Sequence, residues 1–154
     1  NNVVIGLNAG NANTTGDRNV LVGEYAGEDN TTGDGNTFIG DKTASNNTTG
    51  SWNTAMGVNA LFSNTTGSQN VGVGNRALYS NTEGEYNTAV GRYTLNKNTQ
   101  GDDNVALGHG ALNDNTTGNN NTGVGTGAGY NNETGSGNGK STVPVQVLRK
   151  IGSL

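Results

Sequence analysis

Cysteine is absent from the 154-residue chain, which excludes a disulfide framework and a thiolate metal site. The single histidine, His109, excludes a histidine-ligated metal cluster and a Ser-His-Asp arrangement backed by a second base. Hydrophobic residues make up 29% of the chain, aromatics 5% and charged residues 13%, with one proline, so a conventional two-layer core has too little material to form. There is no basic excess either. The formal net charge of -4 leaves no cationic face to neutralise phosphates and argues against a nucleic-acid partner. No apolar run approaches the ~20 residues of a membrane span, which argues against direct membrane insertion, and no signal peptide opens the chain. The chain begins inside a repeat, as expected of a fragment or mature piece of something longer.

What is present is an unbroken period. Asn2, Asn19, Asn36, Asn53, Asn70, Asn87, Asn104, Asn121 and Asn138 follow one another at intervals of seventeen residues. Counting this Asn as position 1, each complete turn carries Gly at position 5 (Gly6 through Gly125), Asn at position 12 (Asn13 through Asn132) and Gly at position 15 (Gly16 through Gly135). Such a pattern without insertion is the mark of one structural unit stacked on copies of itself. The fold class expected is all-β: a parallel β-solenoid of eight 17-residue coils over residues 1–137. Residues 138–154 break the pattern. Within them Val143, Val145 and Val147 alternate around Pro144, as in a capping strand or the start of a next domain.

Position 4 is always apolar (Ile5, Val22, Ile39, Met56, Val73, Val90, Leu107, Val124), which predicts that it points into the core. Position 2 is Val or Thr in every coil and shares that face. Gly at position 5 suits a corner with positive φ or a close approach to the next coil. Position 8 (Ala or Thr) and position 9 (Leu in coils four to seven) form a second inward stretch, and positions 11 to 15 form a return turn in which Asn and Gly supply left-handed geometry. Position 3 is small in most coils. Its larger residues Val4, Leu21 and Phe38 are expected to fill a space between subunits or to face solvent. So thin a core calls for self-association along the rod.

The pentads Asn104-Val105-Ala106-Leu107-Gly108, Asn87-Thr88-Ala89-Val90-Gly91 and Asn53-Thr54-Ala55-Met56-Gly57 resemble the S-V-A-I-G motif of YadA-like heads in trimeric autotransporter adhesins. The continuation G-x-x-A is shared, as in Gly57-Val58-Asn59-Ala60 and Gly74-Asn75-Arg76-Ala77. The resemblance covers residues 2–137. It implies a left-handed β-roll, assembly as a homotrimer, and service as a surface adhesin or fibre segment. The family's usual repeat is shorter, and the N-T-T-G return loop is extra here. Longer repeats of this kind are similar to those of fibre proteins from phages, bacteria and large viruses that end in a tail-spike-type chaperone domain.

Candidate chemistry is sparse. Asn13, Asn30, Asn47, Asn64, Asn115 and Asn132 open N-x-T glycosylation sequons. Asn persists at Asn81 and Asn98, where Glu83 and Gln100 destroy the sequon, which favours a stacked amide ladder over glycan attachment. Position 16 (Asp17, Asp34, Ser51, Ser68, Glu85, Asp102, Asn119, Ser136) stacks carboxylates that call for solvation or a bridging cation, without the repeat pattern of a calcium-binding roll. Gly137-Asn138-Gly139-Lys140-Ser141 lacks the first glycine and the flanking elements of a phosphate loop. Trp52 and Tyr86 share position 17, and Phe62, Tyr79 and Tyr130 share position 10; as aromatics they suit subunit-interface anchors or platforms for stacking on sugars, the former favoured. Position 13 carries a Thr ladder, Thr14, Thr31, Thr48 and Thr65 among it, of the kind an ice-binding surface uses.

The sequence reading is therefore a non-enzymatic, cofactor-free structural or adhesive segment of an extracellular fibre, on a cell surface or a virion. Its expected partners are itself, as a homotrimer, and a cell-surface or matrix glycan or protein receptor. The rival readings are a glycan-binding module on a tail fibre and an ice-binding solenoid.

Overall fold

The computed structural model describes residues 1–141. Nine three-residue strands follow one another: β1 (Val3–Ile5), β2 (Val20–Val22), β3 (Thr37–Ile39), β4 (Thr54–Met56), β5 (Val71–Val73), β6 (Thr88–Val90), β7 (Val105–Leu107), β8 (Thr122–Val124) and β9 (Gly139–Ser141). They form one parallel sheet in sequence order, and each residue pairs with the one seventeen places on, as in Val3↔Val20 and Leu107↔Val124. The chain is a β-solenoid with the expected period. At ~4.8 Å per rung, eight coils make a rod of roughly 40 Å. Backbone hydrogen bonds run from coil to coil around the rest of the circuit as well, for example Gly10 N to Ala26 O at 3.0 Å and Gly35 N to Asp17 O at 2.9 Å, so the irregular segments are paired too. Gly139–Ser141 continues the ladder as a ninth rung, so the pattern in the backbone outlasts Gly137. The strand anticipated around Val143, Val145 and Val147 lies outside the described residues.

The phase of the strand differs from the expectation. Position 3 points inward, with Leu21, Phe38, Ala55, Ala89 and Ala106 fully buried, while position 4 faces out, with Ile39, Met56, Val90 and Leu107 each more than a third exposed. Alternation along a strand allows either choice. The β-branched position 2 and the uniformly apolar position 4 read as the core, but the lumen of so small a coil admits one residue per strand. Leu21 and Phe38 thus fill the interior of their own chain and do not lie between subunits, whereas Val4, in the first coil, is exposed.

Volume in that lumen is exchanged between positions 3 and 9. In coils one to three position 3 is Val4, Leu21 and Phe38, and position 9 is Gly10, Gly27 and Ala44. In coils four to seven position 3 shrinks to Ala55, Gly72, Ala89 and Ala106, and position 9 grows to the fully buried Leu61, Leu78, Leu95 and Leu112. A Cβ at Gly27 would lie 2.9 Å from Phe38 Cδ2, and one at Gly123 would lie 2.9 Å from Leu112 Cγ. In coils two to seven one wall or the other supplies a single large side chain, as a close-packed interior requires, whereas coil eight, with Gly123 and Gly129, supplies none and both glycines lie against Leu112 of coil seven.

The glycines have two separate causes. Position 5 combines φ of 112° to 139° with close stacking; a Cβ at Gly57, Gly91 or Gly108 would lie 2.8 Å from the carbonyl carbon of the next coil's Gly. Gly at position 15 has no positive φ. It is small because a Cβ at Gly67 or Gly84 would meet the next coil's carbonyl oxygen at 2.5 and 2.6 Å. Left-handed geometry falls instead at positions 7, 9 and 17, on residues such as Tyr93 (φ 57°), Leu95 (φ 46°) and Trp52 (φ 61°), and the return turn at positions 11 to 15 has none. Stacking holds these residues in a region that L-amino acids seldom occupy.

Candidate functional site

Both Asn columns lie inside the rod. At position 1, Nδ2 donates to the carbonyl of the position-15 Gly in its own coil at 2.6–2.9 Å, closing the turn. Its Oδ1 accepts from the backbone N–H of the Asn one coil on, as in Asn70 N to Asn53 Oδ1 at 2.9 Å. At position 12, Nδ2 donates to the same Gly carbonyl and, from Asn47 onward, to Oδ1 of the preceding Asn: Asn81 Nδ2 lies 2.9 Å from both Gly84 O and Asn64 Oδ1. Asn30, Asn47, Asn64, Asn81, Asn98 and Asn115 are fully buried. Among the sequon residues, Asn30, Asn47, Asn64 and Asn115 therefore have no free amide in the folded stack; Asn13 and Asn132, at the two ends, are half-buried. An amide serves here because it is donor and acceptor at once, as a continuous buried ladder requires.

Position 16 also has a structural duty that sequence reasoning missed. Its side chain accepts from the backbone N–H of the same position one coil earlier: Asp17 N to Asp34 Oδ1 at 2.8 Å, Asp34 N to Ser51 Oγ at 3.0 Å, Asp102 N to Asn119 Oδ1 at 2.7 Å. The restriction to short oxygen-bearing side chains in seven of eight coils was the available signal. The Thr hydroxyls at position 13 are committed in the same way, each donating to a carbonyl of the next coil, as in Thr31 Oγ1 to Thr48 O at 2.9 Å.

The five singled-out aromatics do not form one cluster. Trp52 lies over Gly35 with the Arg18 guanidinium 5.0 Å from its ring, and Tyr86 Oη accepts from Gln69 Nε2 at 3.1 Å. Tyr130 stands apart beside Gly110, at a shallow groove of about 410 Å³ that Lys140 also lines. Only Phe62 and Tyr79 are brought together, their rings stacked at 5.2 Å and 6°.

That pair opens a lateral face formed by positions 6, 7, 10 and 11. Arg76 extends over Tyr79, with its guanidinium carbon 5.2 Å from the ring centroid, and reaches Tyr93 at 5.9 Å. Arg92 stacks on Tyr93 at 4.5 Å and donates to its hydroxyl at 3.3 Å, which holds the phenol below its ordinary pKa. His109 meets the same ring edge-on at 6.3 Å. Asn96 and Asn113 fix the backbone beneath by donating to Arg76 O and Tyr93 O. Toward the start of the rod the face becomes acidic, with Glu24, Glu28, Asp29 and Asp41 around a groove of about 360 Å³ lined by Tyr25, Glu28, Lys42 and Phe62 among others. Neither Tyr25 nor Tyr93 was singled out from sequence, because position 7 varies from coil to coil. Among the described residues no group of three His, Cys, Asp or Glu side chains is placed to hold a metal ion.

Fold and geometry together place the chain among the parallel β-solenoid repeat proteins. Comparison with protein-family models, curated proteins and solved structures finds no match for it.

Proposed function

We propose that this chain is a non-catalytic structural segment of an extracellular fibre or surface adhesin, on a cell or a virion, that assembles as a parallel homotrimer through its strand face. The observation that carries the proposal is the outward stripe at positions 2 and 4. Val3, Ile5, Ile39, Met56, Val90, Val105 and Leu107 are all exposed on the outer side of one sheet, with half-buried Val and Thr between them. A soluble monomer rarely presents so long an apolar strip. Identical rods in register bury the same strip on every copy around one axis, and the copy number three follows the resemblance to YadA-like heads. The interior supports a structural role as well, since the amide hydrogen bonds recur from coil to coil.

The ice-binding alternative loses its main support because the position-13 hydroxyls are engaged within the stack. Sedimentation velocity over a micromolar concentration series tests the proposal. A sedimenting mass three times the 15.6 kDa of the chain is expected. A concentration-independent monomer would remove it.

A further inference from the structure

The geometry points to a binding site for an acidic polysaccharide on the lateral face, with Arg76 and Arg92 holding the acidic groups and the half-buried Phe62 and Tyr79, stacked on each other, packing their rims against the sugars. The inference does not depend on trimer formation, since these residues lie across the Gly corner from the strand stripe. Three observations carry it. First, both guanidinium groups are drawn onto one ring, 5.9 and 4.5 Å from the centroid of Tyr93, which brings two like charges together. Second, among the described residues neither reaches a carboxylate at ion-pair distance, although the chain is acidic overall and Arg18 and Lys97 do find Asp17, Asp34 and Asp114. Two cations gathered without an internal counter-charge are completed by an external anion, and the guanidinium fork matches carboxylate or sulfate geometry.

Third, the aromatic column beside them is held in place by stacking. Phe62 and Tyr79 stack one coil apart, Arg76 bridges Tyr79 to Tyr93, and His109 closes the far end, so ring faces and cations alternate along the rod axis. One coil advances ~4.8 Å, close to the length of one pyranose, so successive sugars of an extended chain meet successive coils. The carboxylates of coils two and three bound the site at one end and set the direction in which an acidic chain can lie.

Isothermal titration calorimetry on the full chain tests this with a galacturonic acid hexamer, a heparin hexasaccharide and maltohexaose. Saturable binding of at least one acidic hexamer is expected, with the neutral hexamer weaker by about tenfold or more. Binding of the galacturonic acid hexamer identifies carboxylate as the group recognised, whereas binding of the heparin hexasaccharide without it, since heparin carries sulfates as well as carboxylates, identifies sulfate. Arg76→Gln with Arg92→Gln should weaken binding by about a hundredfold, Arg76→Lys with Arg92→Lys should restore part of it, and Tyr79→Ala should cost about tenfold. Both arginine side chains are exposed, so these variants should keep the wild-type circular dichroism. Arg18→Gln, elsewhere on the rod, should change nothing. The inference is overturned if neither acidic hexamer binds, if maltohexaose binds equally well, or if Arg18→Gln weakens binding as much as the arginine pair does.

Discussion

Replacing Asn81 by Asp tests the amide ladder at the smallest possible structural change. Asn81 is fully buried; it donates to Asn64 Oδ1 and Gly84 O and accepts from Asn98 Nδ2 at 2.8 Å. An ionised Asp keeps the shape and the acceptor but turns its second oxygen against two acceptors. Burial of this degree commonly raises a carboxyl by about three pH units above its unfolded value near 4. At about 1.4 kcal/mol per unit the penalty at pH 7 is about 4 kcal/mol. The sign follows from a raised folded-state pKa: the penalty is absent below about pH 4, grows as pH rises through the window between the two values, and then levels off. At low pH the protonated carboxyl still donates one of the two bonds, so about 1 kcal/mol of loss remains. Urea unfolding followed by far-ultraviolet circular dichroism, wild type beside variant from pH 3 to pH 8, gives the difference. An equal loss at pH 3 and pH 7, or a loss below about 1 kcal/mol at pH 7, would refute the claim that the amide is a buried donor.

Gly74→Ala should destabilise by about 3 kcal/mol or more, because φ is 130° and the new Cβ would meet Gly91 O at 2.6 Å. Gly127→Ala, at φ 66° with open space around the Cβ, should cost only about 1 kcal/mol, and thermal melts rank the two. Phe38→Ala should cost about 3–5 kcal/mol. Adding Ala44→Leu should recover at least half of that, because coils three and four then repeat the Ala89, Leu95, Ala106 arrangement of coils six and seven; an additive loss in the double variant would refute volume exchange across the lumen.

The sequence made the coil legible because stacking imposes one period on every position that touches a neighbour. Asn at positions 1 and 12 and Gly at position 5 meet copies of themselves, so any other residue fails eight times over. Orientation of the strand was harder. Ile39, Met56 and Leu107 look like core, and only the reciprocal sizes of Phe38 and Ala44 against Ala89 and Leu95 reveal which residues share the lumen. Left-handed positions were hidden for a different reason: Tyr93, Leu95 and Trp52 are residues that normally avoid such geometry, and tertiary stacking overrides the local preference. Part of the lateral cluster was legible, in Phe62 and Tyr79 at position 10, but Arg76, Arg92 and Tyr93 join it across coils from positions 6 and 7, which vary from coil to coil.

The most direct test of the central claim is native mass spectrometry of the wild-type chain beside Leu107→Asp, with circular dichroism on the same samples. Leu107 lies on the outer stripe, 38% exposed in the single chain, whereas Leu112 is sealed in the lumen. The account predicts a wild-type trimer, a Leu107→Asp protein of single-chain mass that keeps the wild-type spectrum, and a Leu112→Asp protein that loses it. A wild-type monomer, or a Leu107→Asp protein that unfolds as completely as Leu112→Asp, would contradict it.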